Sequence, residues 1–506
     1  MDNVTLTEDI ISQVPALKLL MNMGWKYLSQ EQAVEARGNR TSNVLLEGVL
    51  KEQLQKINTI HYKGKDFSFS EININNAIVA LRDLPINEGF IAANKHFYEL
   101  ITLGKSLEQN ILGDKKSFSF QYIDWKNPEN NIFHVTEEYS VIRSERADHY
   151  RPDIVLFVNG IPMVVIECKS PFIKEPVEKA IEQQLRNQQD DGIRSLYQYS
   201  NLTLALATND AKYATTATAK EFWGYWKEVF KTKEEQLNWE EKINTIKQQP
   251  LPNDEKTMLF KERFKSVWNY FEQLEKEQQV ITEQDKLLYS FCVPKRLLDI
   301  MFNFTLFDEG IKKVARYQQY FAIKNTLQRI EKTDNKGNHI GGVIWHTQGS
   351  GKSLTMVMLA QLIAANPIIK NPKIILVTDR IDLDDQITET FQKCQVPVEN
   401  AQTGKHLVQL IKSPGDAVIT TLIHKFEAAV NQEKEGFTSS EIFVLIDEGH
   451  RSQYGTFNVK MQKVFPNACF IAFTGTPLMK KEKNTAQKFG GIIDAYTILQ
   501  AVEDGA

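Results

Sequence analysis

Cysteine is scarce in this chain, long apolar runs are missing, and positive charge is not in excess. The four cysteines, Cys168, Cys292, Cys394 and Cys469, lie far apart and form no CxxC pair. That spacing argues against a disulfide framework or a structural zinc site and makes reduced thiols the default. No stretch approaches the ~20 apolar residues needed to span a bilayer. Residues 1–20 carry acids without the apolar centre of a signal peptide. A soluble cytoplasmic protein with no membrane association is the expectation. Sixty basic residues against 64 acidic ones leave a net charge of −4. This excludes a polycationic nucleic-acid binder, so any contact with phosphates must sit in local grooves. No internal repeat or low-complexity tract stands out.

The 506 residues, 42% of them hydrophobic, provide material for more than one core. A prior of roughly 150 residues per domain suggests two or three units. Over the first hundred residues the apolar spacing is helical, as in 8–20 and 44–57 (VLLEGVLKEQLQKI). Strand-like runs follow at 133–140, 154–158 (IVLFV) and 162–167 (PMVVIE). A charged helical run at 174–189 and another strand at 202–207 complete a small mixed α/β domain, assigned to 1–226. Residues 227–288 are rich in Lys, Glu and Gln and read as an exposed helical connector. From 289 to 506, strands at 343–345, 374–377, 417–420, 443–446 and 470–473 alternate with helices. That alternation predicts a parallel sheet whose sites gather at the carboxyl ends of its strands.

The segment His346-Thr347-Gln348-Gly349-Ser350-Gly351-Lys352-Ser353 lies between an apolar strand and an apolar helix. In that context the glycines let backbone N–H groups approach phosphates, and the helix N-terminus adds positive potential. Thr347, Gly349, Ser350 and Gly351 line the loop, Lys352 meets the β- and γ-phosphates, and Ser353 holds Mg2+. The usual leading glycine is His346 here. Asp447-Glu448-Gly449-His450 follows a later strand, where Asp447 binds Mg2+ and Glu448 positions the attacking water. A glycine turn and a helix-capping acid pair are the bland alternatives, disfavoured by their joint occurrence.

Together these segments resemble superfamily 2 helicases. DEGH looks like a DEAD/DEAH box, and Thr474-Gly475-Thr476-Pro477 resembles the motif coupling ATP state to DNA movement. Val377-Thr378-Asp379-Arg380 and Thr420-Thr421-Leu422 resemble DNA-contact motifs. Gln319, with Gln318 as fallback, sits where an adenine-reading glutamine is common. The resemblance implies a RecA-like P-loop domain that uses ATP. Such motors have two lobes, and the residues after TGTP leave no room for the second. The expectation is therefore a truncated piece, or a lobe supplied by a partner, that binds ATP weakly alone.

Asp153 opens the strand IVLFV, and Glu167-Cys168-Lys169 ends PMVVIE. Two carboxylates with the Cys168 carbonyl can ligate Mg2+, and Lys169, on the same strand face as Glu167, can orient water or stabilise phosphate charge. A plain two-residue turn at Asn159-Gly160 would set Asp153 opposite Ile166 and send Glu167 to the other face. Shared use of both acids therefore requires a three-residue loop or a β-bulge between residues 157 and 163. The pattern resembles the PD-(D/E)xK nucleases, which implies a restriction-endonuclease-like fold. Gln184-Leu185-Arg186-Asn187-Gln188 resembles their QxxxY element with Gln188 in place of Tyr, so only Gln184 is carried over. Glu8 matches the acid that such nucleases place near the metal. Its alternative is an ordinary surface glutamate.

A nuclease of this kind followed by such a motor resembles the R subunit of type I restriction enzymes, along nearly the whole chain. The resemblance implies a bacterial cytoplasmic protein that translocates double-stranded DNA with ATP and cleaves it with Mg2+. It also implies partnership with methyltransferase and specificity subunits. A repair helicase–nuclease acting on DNA ends, and a DNA-stimulated ATPase without cleavage, are the alternatives.

Overall fold

The computed structural model describes residues 8–261, 264–308, 310–378, 381–394, 396–415, 418–432, 436–447, 462–475 and 489–504. The chain divides into two compact units, Met1–Thr305 with Gly310–Val314 and Leu306–Glu309 with Ala315–Ala506.

The first unit is built on a six-stranded mixed sheet: β1 (Lys26–Tyr27), β2 (Phe133–Glu137), β3 (Ile154–Val158), β4 (Ile161–Cys168), β5 (Leu202–Leu206) and β6 (Ala211–Ala214), in that spatial order. β2–β3, β3–β4 and β5–β6 are antiparallel, whereas β1–β2 and β4–β5 are parallel. Every residue of β3 and β4 is buried. This is why their sequences read as continuous apolar runs rather than alternating ones. Helix α1 (Val14–Asn22) follows a π-helical turn, Asp9–Gln13, and α2 (Pro176–Asn187) follows β4.

The first hundred residues are not purely helical. Antiparallel hairpins pair Thr59–Tyr62 with Lys65–Ser68 and Lys105–Ile111 with Asp114–Phe120. In the first, Lys63 and Gly64 both have positive φ, the turn chemistry that a two-residue hairpin needs. Within the 227–288 stretch, Lys233–Gln248 is a largely exposed helix with only Ile243 buried. Residues 289–305 pack with the first unit rather than the second. Trp25 Nε1 donates to Cys292 O at 2.7 Å, and the Tyr98 hydroxyl to Met301 O at 3.0 Å and Thr305 O at 2.9 Å.

The second unit carries a seven-stranded parallel sheet. Its strands are β7 (Gly342–His346), β8 (Lys373–Thr378), β9 (Val398–Asn400), β10 (Val418–Leu422), β11 (Ile442–Ile446), β12 (Cys469–Thr474) and β13 (Ile492–Tyr496). Their spatial order is β9-β10-β8-β11-β12-β7-β13. The five expected strands are all present, and β9 and β13 extend the sheet at its edges. Helices α3 (Tyr317–Ile330) and α4 (Lys352–Ala364) precede and follow β7, and α5 (Ile498–Glu503) follows β13. The mixed sheet followed by a RecA-like parallel sheet is the expected fold class. Among the described residues no helix is long and apolar enough to cross a membrane. All four cysteines are buried, and none is joined to another in a disulfide.

Candidate functional site

The β3–β4 hairpin decides where the two acids go. Its turn is a two-residue one, with Asn159 at φ 53° and Gly160 at φ 82°. The register runs Ile161↔Val158 and Pro162↔Phe157, then shifts to Val164↔Leu156 and Ile166↔Ile154. Met163 is therefore the extra residue of a β-bulge, inside the window that parity required. Beyond the shift, Glu167 comes level with Asp153 across the strand pair, and the two carboxyls share a face.

Cys168 N–H donates to Asp153 Oδ2 at 2.6 Å, and Lys169 Nζ lies 3.4 Å from the same oxygen. Lys169 Nζ also donates to Cys168 O at 2.6 Å and sits 3.3 Å from Glu8 Oε1. Glu8 thus meets the lysine that also contacts Asp153. The main chain of Asp153 is fixed as well, because its carbonyl accepts from Gln13 Nε2 at 2.8 Å and from Glu138 N–H at 3.1 Å.

Glu167 is completely buried. Its carboxyl is held by two neutral amides, Gln183 Nε2 at 2.6 Å and Asn187 Nδ2 at 3.1 Å. Burial first, and the Asp153 charge second, push it well above the usual carboxylate range. Lys169 is raised as well: burial alone would lower it, but Asp153, Glu167 and Glu8 together outweigh burial.

Gln184 does not join this cluster. Its Nε2 donates to Val165 O at 3.0 Å and Leu204 O at 3.2 Å, and its Oε1 accepts from the Tyr197 hydroxyl at 2.6 Å. It ties α2 to the sheet, while Gln183 and Asn187, one turn apart on α2, are the groups that reach Glu167. A sequence signal for this existed. Val177, Ala180, Ile181, Gln184 and Asn187 form the buried stripe of α2, so helical phase packs Gln184 against the sheet and leaves Gln183 beside that stripe.

The acid pair fits a divalent cation. The Asp153 and Glu167 carboxyls share one face of the strand pair, burial opposes the ionisation of Glu167, and the Cys168 carbonyl is held by the same lysine that meets Asp153. Such a hard oxygen donor set suits Mg2+. Among the described residues, no group of three or more His, Cys, Asp or Glu side chains could hold a metal. The set is two carboxylates and a backbone oxygen.

In the second unit, the register pairs Trp345 with Thr474 and Ile446 with Ala472. The loop after β7 and Asp447 after β11 therefore leave the sheet at one edge, on either side of β12. Gly349 and Gly351 have φ of 83° and 80°, and nothing lies within 4 Å of a Cβ built on Gly349. A Cβ on Gly351 would come within 2.6 Å of Gln319 Nε2, which donates to Gly351 O at 3.0 Å. The loop thus leaves open space over its first glycine and packs its second against Gln319.

Lys352 begins α4, and its Nζ lies 3.4 Å from the carbonyls of both His346 and Thr347. Ser353 stands next in the same turn, and Ser350 is buried. Asp447 is buried, and its N–H donates to Val377 O at 3.1 Å. Backbone amides at a helix start, a lysine and a carboxylate at one sheet edge make a donor set that fits a nucleotide triphosphate with Mg2+. Glu448, with Gly449, His450, Asp379, Arg380, Thr476 and Pro477, lies outside the described residues.

Comparison with known proteins agrees with both halves. Residues 318–506 match the family described as SWI2/SNF2 ATPase, and residues 5–222 match the type I restriction enzyme R protein N terminus. Across its N-terminal and ATPase regions, the chain is a homologue of the type I restriction enzyme R subunit. It is 30% identical to the type I restriction enzyme HindI endonuclease subunit of Haemophilus influenzae, over 99% of this chain and 45% of that protein. It is 26% identical to the type I restriction enzyme SsaAORF53P endonuclease subunit of Staphylococcus saprophyticus, over 81% of this chain and 41% of that protein. The chain spans less than half the length of these curated relatives.

Proposed function

We propose that this chain is the cleavage and translocation portion of a type I restriction subunit. Its first unit, the nuclease domain, hydrolyses DNA phosphodiesters, and its second is the first RecA-like lobe of an ATP-driven motor on double-stranded DNA. In the whole protein it works with methyltransferase and specificity subunits, which supply the recognition site. The observation that carries this reading is the bulge at Met163, which aligns Asp153 with Glu167 and leaves Lys169 beside them.

In this reading Asp153 and Glu167 hold Mg2+, with the Cys168 carbonyl as a further ligand. Held there, Mg2+ would supply Lewis-acid polarisation of a phosphate and a more acidic water. Lys169, kept protonated by its acidic neighbours, faces the charge that develops on the phosphoryl oxygens. Gln183 and Asn187 hold the Glu167 carboxyl in place. Lys352 and the loop amides bind the ATP phosphates, Ser353 and Asp447 hold their Mg2+, Gln319 reads adenine, and Glu448 positions the attacking water.

The test uses the full-length subunit with its methyltransferase and specificity partners on unmethylated circular DNA. Cleavage that needs ATP and both partners supports restriction. A requirement for free ends supports repair. ATP turnover without cleavage in the unaltered complex leaves only the ATPase.

A further inference from the structure

The phosphate loop begins with a buried histidine where the strict pattern has glycine. His346 ends β7 and is fully buried, and its Nε2 lies 2.8 Å from Asp494 Oδ1 on β13. The other Asp494 oxygen accepts from Asn325 Nδ2 at 3.1 Å. Asn325 belongs to α3, whose first turn carries Gln319, and Gln319 Nε2 in turn donates to Gly351 O at 3.0 Å.

A second strut runs parallel to the first. The Tyr317 and Tyr496 hydroxyls both donate to Asp504 Oδ2, and Thr347 N–H donates to Tyr496 O at 3.0 Å. The helix that reads the base and the loop that holds the phosphates are therefore fixed to each other at two points through β13. That strand carries none of the nucleotide motifs.

We propose that His346, Asp494 and Asn325 are positioning residues that set the separation between Gln319 and the phosphate loop. Through that separation they set the affinity for ATP and its preference over GTP. This rests on reading residues 346–353 as an ATP site. Glycine at 346 would leave the Asp494 carboxylate, its side chain only 10% exposed, with Asn325 alone. It would also free the hinge by which the chain leaves β7. Binding would then have to order a loop that His346 already holds, which weakens affinity. The base would meet Gln319 at a less fixed distance from the phosphates.

The experiment titrates fluorescent ATP and GTP analogues, with Mg2+, against full-length protein carrying H346G, H346Q, N325A or K352A. The thermal midpoint of each variant is recorded without nucleotide. Although H346G restores the strict motif, it should weaken ATP binding about tenfold, as expected for losing one hydrogen bond to a charged group. It should also narrow the ATP-to-GTP ratio. H346Q, which keeps an N–H donor towards Asp494, should recover most of both. N325A should shift both in the same direction by less.

A folded H346G that binds ATP as tightly as the parent, with unchanged preference, overturns the proposal. Should H346G fail to fold, N325A on its half-buried side chain decides. A narrowed ratio supports positioning, and an unchanged ratio overturns it. K352A separates the two layers, because ATP binding retained there sinks the site reading itself. Loss in K352A with no effect in the other variants sinks only the positioning role.

Discussion

Glu167 is a costly side chain to keep where it is. It is wholly buried, faces Asp153 across the strand pair, and is held by amides that bring no positive charge. Function explains it better than stability does, because buried charges of one sign are expensive. Glu167→Gln keeps the shape and removes the charge, so the first unit should gain about 1 kcal/mol of stability. Cleavage should fall to background in the same variant. A thermal melt and a plasmid-cleavage assay check the pair, and a large fall in the melting midpoint would mark the carboxylate as structural.

His134 makes a different prediction, about pH. It is buried on β2, Nδ1 has no hydrogen-bond partner among the described residues, and burial, then the nearby Lys26, lowers its pKa to about 4. The unfolded state, with a value near 6.5, therefore binds more protons between those limits. Stability should be unaffected above pH ~6.5 and fall by about 1.4 kcal/mol per pH unit from there to about 4. Denaturant titrations of the parent and His134→Gln across that range should show the slope reduced in the variant.

At the scale of elements, one bulge converts an apolar hairpin into a site. Strands β3, β4, β8, β11 and β12 were legible because strands buried on both faces are continuous apolar runs bounded by turn or acidic residues. The need for an odd residue in the β3–β4 hairpin was legible too, from parity and the Asn159-Gly160 turn. What could not be read was which residue would bulge, since Pro162, Met163 and Val164 are all apolar. Short β9 and mixed β13 lacked the periodicity that marks strands, and the Thr59–Ser68 hairpin is polar enough to pass for loop.

The choice between Gln183 and Gln184 turned on helix phase, which a match to a motif lacking its tyrosine did not respect. Inserting one alanine between Met163 and Val164 should set Ile166 opposite Asp153 and turn Glu167 to the opposite face. DNA cleavage should be lost while nucleotide binding by the second unit persists. Cleavage that survives the insertion would remove register-imposed alignment of the two acids from the account.

At the scale of the whole molecule, the proposed nuclease and nucleotide sites lie on separate sheets, so single substitutions should divide the proposed activities unevenly. Asp153→Asn removes one of the two carboxylates proposed to hold Mg2+ in the first unit and leaves the loop after β7 untouched. In the full-length protein with its partners, cleavage should fall by about a hundredfold or more, while DNA-stimulated ATP turnover continues. Lys352→Ala leaves Asp153, Glu167 and Lys169 as they are, yet cleavage should be lost with ATP turnover if the nuclease acts only on DNA that the motor has moved. Chelating Mg2+ should stop both activities in the parent if, as proposed, each site holds its own ion. The decisive case is Lys352→Ala. If it still cuts unmethylated circles without ATP, the nuclease is not governed by the motor, and the two units share a chain without sharing a reaction.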